Sequence, residues 1–111
     1  MRITIARVGP PGDRNGTVVA PGAIPACDVP LCEDFDPMLI PIGRAVVHAD
    51  GTADLELRDG FALDVDGLRP DATIGMGYRV LEQHEENGVR VIDRLELMAI
   101  GVSRDLIRRP S

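Results

Sequence analysis

Two long runs of alternating residues on either side of Asn87-Gly88 constrain this chain more than any other feature. An Asn-Gly pair favours the tight primed turns that join antiparallel strands. In the second run the apolar residues share one face and the charged residues share the other. The apolar residues are Val89, Val91, Leu95 and Leu97, and the charged ones are Arg90, Arg94 and Glu96. This pattern predicts a long antiparallel hairpin from about Thr73 to Val102, with its apolar face toward the core.

Several shorter strands are predicted wherever alternating segments stand between turn signals. They are Arg2 to Val8, Thr17 to Ala20, Met38 to His48, Thr52 to Leu57 and Phe61 to Val65. Asp50-Gly51 joins the third and fourth of these in a second hairpin. Four prolines between Pro21 and Pro37 predict an ordered but irregular segment. Only Val102 to Arg109 is compatible with a short helix.

The composition favours one small β domain. A chain of 111 residues fits a single domain, 1–111, with one modest core. Twelve glycines and nine prolines predict many turns between short strands. Aromatic residues are rare, so the core must consist of aliphatic side chains. We therefore expect a mainly β fold, a small antiparallel β-barrel or sandwich with at most a short C-terminal helix.

The charge balance and the distribution of apolar residues exclude two classes of partner. A net charge of −6 repels phosphate backbones, so we expect no nucleic-acid partner. The chain has no apolar run of membrane-spanning length, and its N-terminus alternates instead of forming a signal peptide, so we expect no membrane partner. A basic tail with Arg104, Arg108 and Arg109 is the local exception. It is either a solvated terminus or an arm that docks on an acidic partner surface.

Residues with catalytic or metal-binding chemistry are few and scattered along the sequence. They are Ser103, Ser111, His48, His84, Cys27 and Cys32. His84 beside the Asn87-Gly88 turn is expected to be a solvated loop residue, and the two cysteines are expected to be free thiols. Glu82, Glu85 and Glu86 could hold a cation or form a solvated hairpin tip, of which we favour the tip. The sequence therefore predicts no catalytic, cofactor or metal site.

Short motifs between Asn15 and Ser103 follow one another in a recognisable order. They are Asn15-Gly16 to Ala20-Pro21-Gly22-Ala23-Ile24, Val29-Pro30-Leu31 to Asp36-Pro37, Pro41-Ile42-Gly43-Arg44, Gly77-Tyr78-Arg79-Val80-Leu81, and Glu96-Leu97-Met98-Ala99-Ile100-Gly101-Val102. Their order and spacing resemble the prohead proteases of tailed bacteriophages, the serine proteases that mature capsids. The resemblance implies the prohead-protease fold.

The chain departs from this family at the positions that carry its chemistry. By the resemblance, Gly75 stands where the family has its nucleophilic serine, Phe35 where it has its histidine and Ala99 where it has an acidic partner. A glycine has no hydroxyl to activate. The segment from Asp64 to Asp71 is also too short for the helix that precedes the nucleophile strand in the family. The resemblance therefore implies an inactive homologue, a pseudoprotease.

The resemblance also implies a location and a set of partners. We expect a non-enzymatic virion protein, a capsid accessory or decoration protein that binds the major capsid protein and self-associates in an assembly. Its expected location is the phage capsid, and the host cytoplasm during assembly. Alternatives are a head–tail connector, a tail protein, an assembly chaperone, or an active peptidase with a relocated nucleophile such as Ser103.

Six residues are the predicted protein contacts. Four are apolar residues on a segment with several prolines, and we do not expect a regular sheet to bury all four. The other two are arginines of the tail, whose charge could attract it to acidic patches on a partner. The residues are Ile24, Val29, Leu31, Phe35, Arg108 and Arg109.

Overall fold

The computed structural model describes residues 1–9, 16–34, 36, 40–64, 66 and 73–110. These residues form nine strands and, after the eighth, a 3₁₀ turn at Arg104–Leu106. The strands are β1 (Arg2–Thr4), β2 (Val18–Val19), β3 (Cys27–Glu33), β4 (Gly43–Val47), β5 (Thr52–Leu57), β6 (Ala62–Leu63), β7 (Ile74–Glu86), β8 (Val89–Val102) and β9 (Ile107–Arg108). The mainly β fold expected from the sequence is confirmed.

Seven of the strands form one curled sheet, an open half-barrel. The order is β1-β5-β4-β3-β8-β2, and β7 pairs with β8. The sheet is mixed, since β2 and β3 both run parallel to β8 while its other pairs are antiparallel. β6 and β9 form a separate two-stranded sheet. β8 therefore connects most of the fold, because three strands pair with it.

The hairpin around Asn87-Gly88 is confirmed, and we call it the β7–β8 ribbon. Its strands have 13 and 14 residues, a length of about 45 Å at the usual rise per residue, comparable with the longest dimension of the molecule, 51 Å. The pairing contains three irregularities that leave Met98, Leu81 and Asp93 as extra residues. At each such bulge the alternation of faces shifts by one residue.

The core face of β8 agrees with the prediction at Leu95 and Leu97. Val89 and Val91 lie on the other face, because the bulge at Asp93 shifts the alternation between them and Leu95. Val91, Leu95 and Leu97 are buried, and Val89 is half-buried. Ile92 is also fully buried, although strict alternation would place it on the charged face. The bulge at Asp93 lies between Ile92 and Leu95, so both side chains can face the core.

The interpretation of 21–37 as irregular is wrong for its central part. Residues Cys27–Glu33 form β3, which pairs with β4 on one side and β8 on the other. Pro30 is tolerated inside this strand because pairing with β8 begins only at Leu31. The segment is thus in the middle of the sheet.

The C-terminal segment is not an α-helix. A single 3₁₀ turn follows Ser103, and the chain then forms β9, which pairs with β6. Leu106 and Ile107 are buried, so this end of the chain is packed onto the core.

The remaining strand predictions are confirmed in position and differ in length. β1 ends at Thr4, β4 begins at Gly43, and β6 is described over Ala62–Leu63. Met38, Leu39 and Val65, which the predicted strands also include, lie outside the described residues. The second hairpin, β4–β5, forms around Asp50-Gly51 as predicted. The buried side chains make one continuous aliphatic cluster, whose fully enclosed members include Ile24, Leu31, Val47, Ile92, Leu95, Ile100, Val102 and Leu106.

Candidate functional site

Two of the positions that the resemblance assigns to catalysis, Gly75 and Ala99, lie on the ribbon where it joins the sheet. Gly75 on β7 pairs with Gly101 on β8, and Gly77 pairs with Ala99. None of these four residues has a polar side chain, so this part of the ribbon presents only backbone groups. Phe35, which the resemblance places at the histidine position, lies outside the described residues, as does most of the segment from Asp64 to Asp71.

The serine and histidine that could form a relocated catalytic pair have separate partners. Ser103 accepts a hydrogen bond from the backbone N–H of Thr73 through its Oγ atom, at 2.8 Å. His48 pairs instead with Asp54, with 2.8 Å between Nε2 and Oδ2. Arg2 binds the same carboxylate, and these hydrogen bonds, that of Arg2 first, hold the pKa of Asp54 far below its usual range. Asp54 is therefore held in place at the surface by Arg2 and His48.

The cysteines are free thiols, as expected, and their environment does not activate them. Cys27 and Cys32 both lie on β3, the first half-buried and the second buried. Burial raises the pKa of each thiol, which lowers the fraction present as reactive thiolate at neutral pH.

A histidine–carboxylate pair does form on the ribbon, which the sequence interpretation missed. His84 Nδ1 is 2.5 Å from Asp93 Oδ2, and its Nε2 is 3.4 Å from Glu86 Oε2. Hydrogen bonding to Asp93, and then to Glu86, raises the pKa of His84 above its ordinary value. Asp93 is an extra residue in the β7–β8 pairing, and such a bulge is not visible in an alternating sequence pattern.

This pair borders a mainly apolar groove of about 460 Å³ between the ribbon and the segment around β2. The described lining includes Val18, Pro21, Val89 and Val91. An imidazole hydrogen-bonded to a carboxylate can accept a proton, but catalysis of the serine- or cysteine-protease type also needs a hydroxyl or thiol. The described residues that line the groove carry neither group.

Three of the predicted contact residues belong to the core. Ile24, Val29 and Leu31 are 1%, 8% and 0% exposed. Their apolar character is accounted for by packing within the chain, because β3 is a central strand and not an irregular surface segment. Their contact with a partner stays a prediction, and it would require a rearrangement of this core.

The arginines of the C-terminal tail pair with acidic residues of the same chain. Arg108 binds Asp64 at 2.9 Å. Arg104 Nε is 3.4 Å from Glu33 Oε2. Arg109 contacts the other oxygen of Glu33 as an ion pair without hydrogen-bond geometry. Glu33 is a buried carboxylate and needs such charge compensation. In the structure, the tail therefore docks on acidic residues of the same chain.

The outer half of the ribbon is the longest run of consecutive exposed residues in the described part of the chain. Every residue from 81 to 88 is exposed, and we call residues 82–88 the ribbon tip. The tip carries Glu82, Glu85 and Glu86, the cluster that the sequence assigned to a solvated hairpin end. No metal-binding group of three or more histidine, cysteine or acidic side chains occurs in the described part of the chain. The same part contains no helix long and apolar enough to span a membrane.

Comparison of the chain with protein-family models, with curated proteins and with solved structures found no match.

Proposed function

We propose that this chain is a non-enzymatic bacteriophage virion protein, a capsid accessory or decoration protein that binds and stabilises the shell of the major capsid protein. The observation that carries the proposal is the composition of the ribbon at the motif positions. Gly75 pairs with Gly101 and Gly77 with Ala99, so a segment that resembles the nucleophile hairpin of a protease has no side chain able to attack a peptide bond.

We infer capsid binding from the absence of catalytic groups because prohead proteases act inside the capsid shell. A maturation protease must fit inside a capsid shell, and a scaffold that loses its catalytic groups can retain a surface complementary to capsid subunits. Fold alone does not fix function, so the proposal depends on the motif order given above and on the exposed surfaces of this chain.

The ribbon tip is the surface that we assign to this contact. It projects from the sheet as a two-stranded arm whose residues 81–88 are all exposed. Ile24, Val29 and Leu31 are buried in the core, and the tail arginines form ion pairs within the chain. Among the described residues, the arm is therefore the better candidate for the contact with the capsid. Its acidic side chains suit a basic patch on the partner, with an attraction that weakens as salt is added.

Co-sedimentation tests this function. The purified protein is mixed with empty mature capsids of its phage at low and high salt, and the capsids are pelleted. An unrelated acidic protein of similar size controls for trapping. We expect saturable binding with many copies per capsid and weaker binding at high salt. If the folded protein stays in the supernatant at low salt, the capsid assignment fails and a connector or tail role is favoured.

A pair of charge-reversal variants tests the assigned surface. Glu85→Lys combined with Glu86→Lys changes the ribbon tip, and Asp59→Lys changes an exposed acidic residue in the turn after β5. We expect the tip variant to lose pelleting and the Asp59 variant to retain it. Equal pelleting of both variants would remove the tip from the interface.

The absence of proteolysis is tested separately. The protein is incubated with its capsid protein, and both are measured by intact mass. We expect no cleavage product. Specific products that disappear in a Ser103→Ala variant would overturn the pseudoprotease proposal and establish a relocated nucleophile.

A further inference from the structure

The outer edge of β7 has no strand beside it among the described residues. β7 pairs with β8 alone, although it is 13 residues long. Proteins commonly protect such edges with lysine, proline or bulges. β7 contains neither lysine nor proline, and its own protection is the single extra residue Leu81. An edge of this length is a surface on which another chain can pack.

Exposed apolar side chains are concentrated at the middle of the same ribbon. Five large apolar residues are exposed in the described part of the chain, and three of them, Tyr78, Leu81 and Met98, lie on β7 or directly beside it on β8. They are 40%, 42% and 56% exposed. Apolar area grouped at an open edge is a feature of protein–protein contacts, whereas scattered apolar residues are ordinary.

Four charges of alternating sign lie on the outer face at this point. Arg79 pairs with Glu96 at 3.0 Å, and Arg94 pairs with Glu82 at 3.0 Å. Arg79 and Glu82 share a face of β7 despite being three residues apart, because the bulge at Leu81 shifts the alternation by one. β7 thus presents one positive and one negative charge along its open edge, with Val80 and Leu81 between them.

The order of charged and apolar side chains along β7 is complementary to the same order on a second, antiparallel copy of β7. A two-fold axis perpendicular to the sheet, placed between Val80 and Leu81, brings β7 antiparallel to β7 of a second copy. Arg79 then lies opposite Glu82 of that copy, and Glu82 opposite its Arg79. A two-fold contact uses the same patch on both chains, so each favourable pair occurs twice. In this register no acidic residue of β7 faces another acidic residue, since Glu85 and Glu86 fall opposite Met76 and Gly75.

We propose that two copies of this chain associate edge to edge through residues 78–83 of β7. The apolar centre formed by Tyr78, Val80 and Leu81 of both copies packs together, and reciprocal Arg79–Glu82 pairs flank it. The bulge at Leu81 interrupts a continuous backbone ladder, so side chains make most of the contact. The contact overlaps the ribbon tip only at Glu82 and Gln83, and the association does not depend on capsid binding.

Analytical ultracentrifugation of the purified protein, without capsids, tests this contact through charge reversal. We expect a concentration-dependent dimer for the wild type. Arg79→Glu and Glu82→Arg, each made alone, place like charges opposite each other twice and should weaken dimerisation at least about tenfold. The double variant Arg79→Glu/Glu82→Arg restores opposite charges between copies and should restore the dimer, even though it disrupts the pairs with Glu96 and Arg94 inside each chain.

Arg44→Glu is the matched control, with far-UV circular dichroism as the measure of folding for every variant. Arg44 is also an exposed arginine paired across a strand, with 2.9 Å between its Nε and Glu56 Oε2, but it lies on β4 inside the sheet. We expect this variant to dimerise like the wild type. A wild type that is monomeric at all concentrations would overturn the proposal. So would a folded double variant that stays monomeric, or single variants that dimerise normally.

Capsid pelleting distinguishes the failure of this contact from the failure of the proposed function. A monomeric protein that still pellets with capsids contradicts only the edge contact, and a dimer that does not pellet contradicts only the capsid assignment.

Discussion

The two hairpins of this fold have similar turn sequences and very different surroundings. β4–β5 turns at Asp50-Gly51 and has strands on both sides, β3 next to β4 and β1 next to β5. β7–β8 turns at Asn87-Gly88, and β7 has one open edge among the described residues. The turn of the first hairpin is packed against β1 and the segment after it, whereas the turn of the second is fully exposed. The turn sequence therefore predicts that a hairpin forms, but it does not predict whether that hairpin is packed within the sheet or exposed.

The anchoring of the first turn is visible at Gly51. Its carbonyl accepts hydrogen bonds from the backbone N–H groups of Ile5 and Ala6, at 2.8 and 3.2 Å. Its φ is +87°, and a Cβ added there would overlap the carbonyl oxygen of Ala6. Gly88 also has a positive φ, +78°, but a Cβ there would meet open space. The first glycine is required by packing and conformation, and the second by conformation alone.

The largest predicted effect follows from this difference. Gly51→Ala should lower the free energy of unfolding by about 3 kcal/mol or more, because it combines backbone strain with a clash against the backbone. Gly88→Ala, the matched control, should cost only about 1 kcal/mol from the left-handed conformation. Urea unfolding of both variants measures the two costs. Equal costs would contradict the account of one anchored turn and one free turn.

The second prediction separates the buried positions of the ribbon from the exposed ones. Leu95 is 2% exposed, so Leu95→Ala should cost about 2–5 kcal/mol, as large-to-small core substitutions do. Arg90 is an exposed residue near the turn of the same strand, and Arg90→Ala should cost about 0.5 kcal/mol or less.

Leu81→Ala sharpens this test, since it makes the same chemical change on the other strand of the ribbon. Leu81 is an extra, exposed residue at a bulge, and its replacement should also cost well under about 1 kcal/mol in the monomer. Chemical denaturation at a concentration below dimerisation checks all three variants. Similar costs for Leu95→Ala and Leu81→Ala would mean that the register of the ribbon is wrong.

The smallest effect is a pH dependence near the ribbon tip. Because the pKa of His84 is raised in the folded state, its pairing with Asp93 and Glu86 stabilises the fold fully below the unfolded value of about 6.5. This contribution is lost as the pH rises through the folded-state pKa. The difference in urea midpoint between the wild type and His84→Gln should therefore shrink from acidic to alkaline pH. A difference that is constant between pH 5.5 and 9 would contradict the pairing.

Much of the fold could be predicted from alternation and turn residues, because each strand with one buried face has that pattern. Both hairpins and the core positions Leu95 and Leu97 were found in this way. β3 was missed because Pro30 is a strong sign against a central strand, and only the position of the β8 pairing explains its tolerance. The parallel pairing of β2 and β3 with β8 could not be predicted either, because an alternating pattern does not distinguish parallel from antiparallel neighbours.

The contact residues were harder to predict than the strands. Exposure depends on which segments become neighbours, and Ile24, Val29 and Leu31 are buried by elements distant in the sequence. The tail arginines have internal partners, Asp64 and Glu33, for the same reason. The bulges at Leu81 and Asp93, which place Arg79 beside Glu82 and His84 beside Asp93, leave no sign in the alternation pattern. The exposed hairpin tip, in contrast, could be predicted from the acidic residues on either side of the Asn87-Gly88 turn.

Localisation and copy number in purified virions test the central claim most directly. Quantitative mass spectrometry of the particles gives the ratio of this protein to the major capsid protein, and electron cryomicroscopy gives its place. The account predicts many copies distributed over the shell, in regular proportion to capsid subunits and with the ribbon tip against them. A few copies confined to one vertex or to the tail, or absence from purified particles, would contradict it.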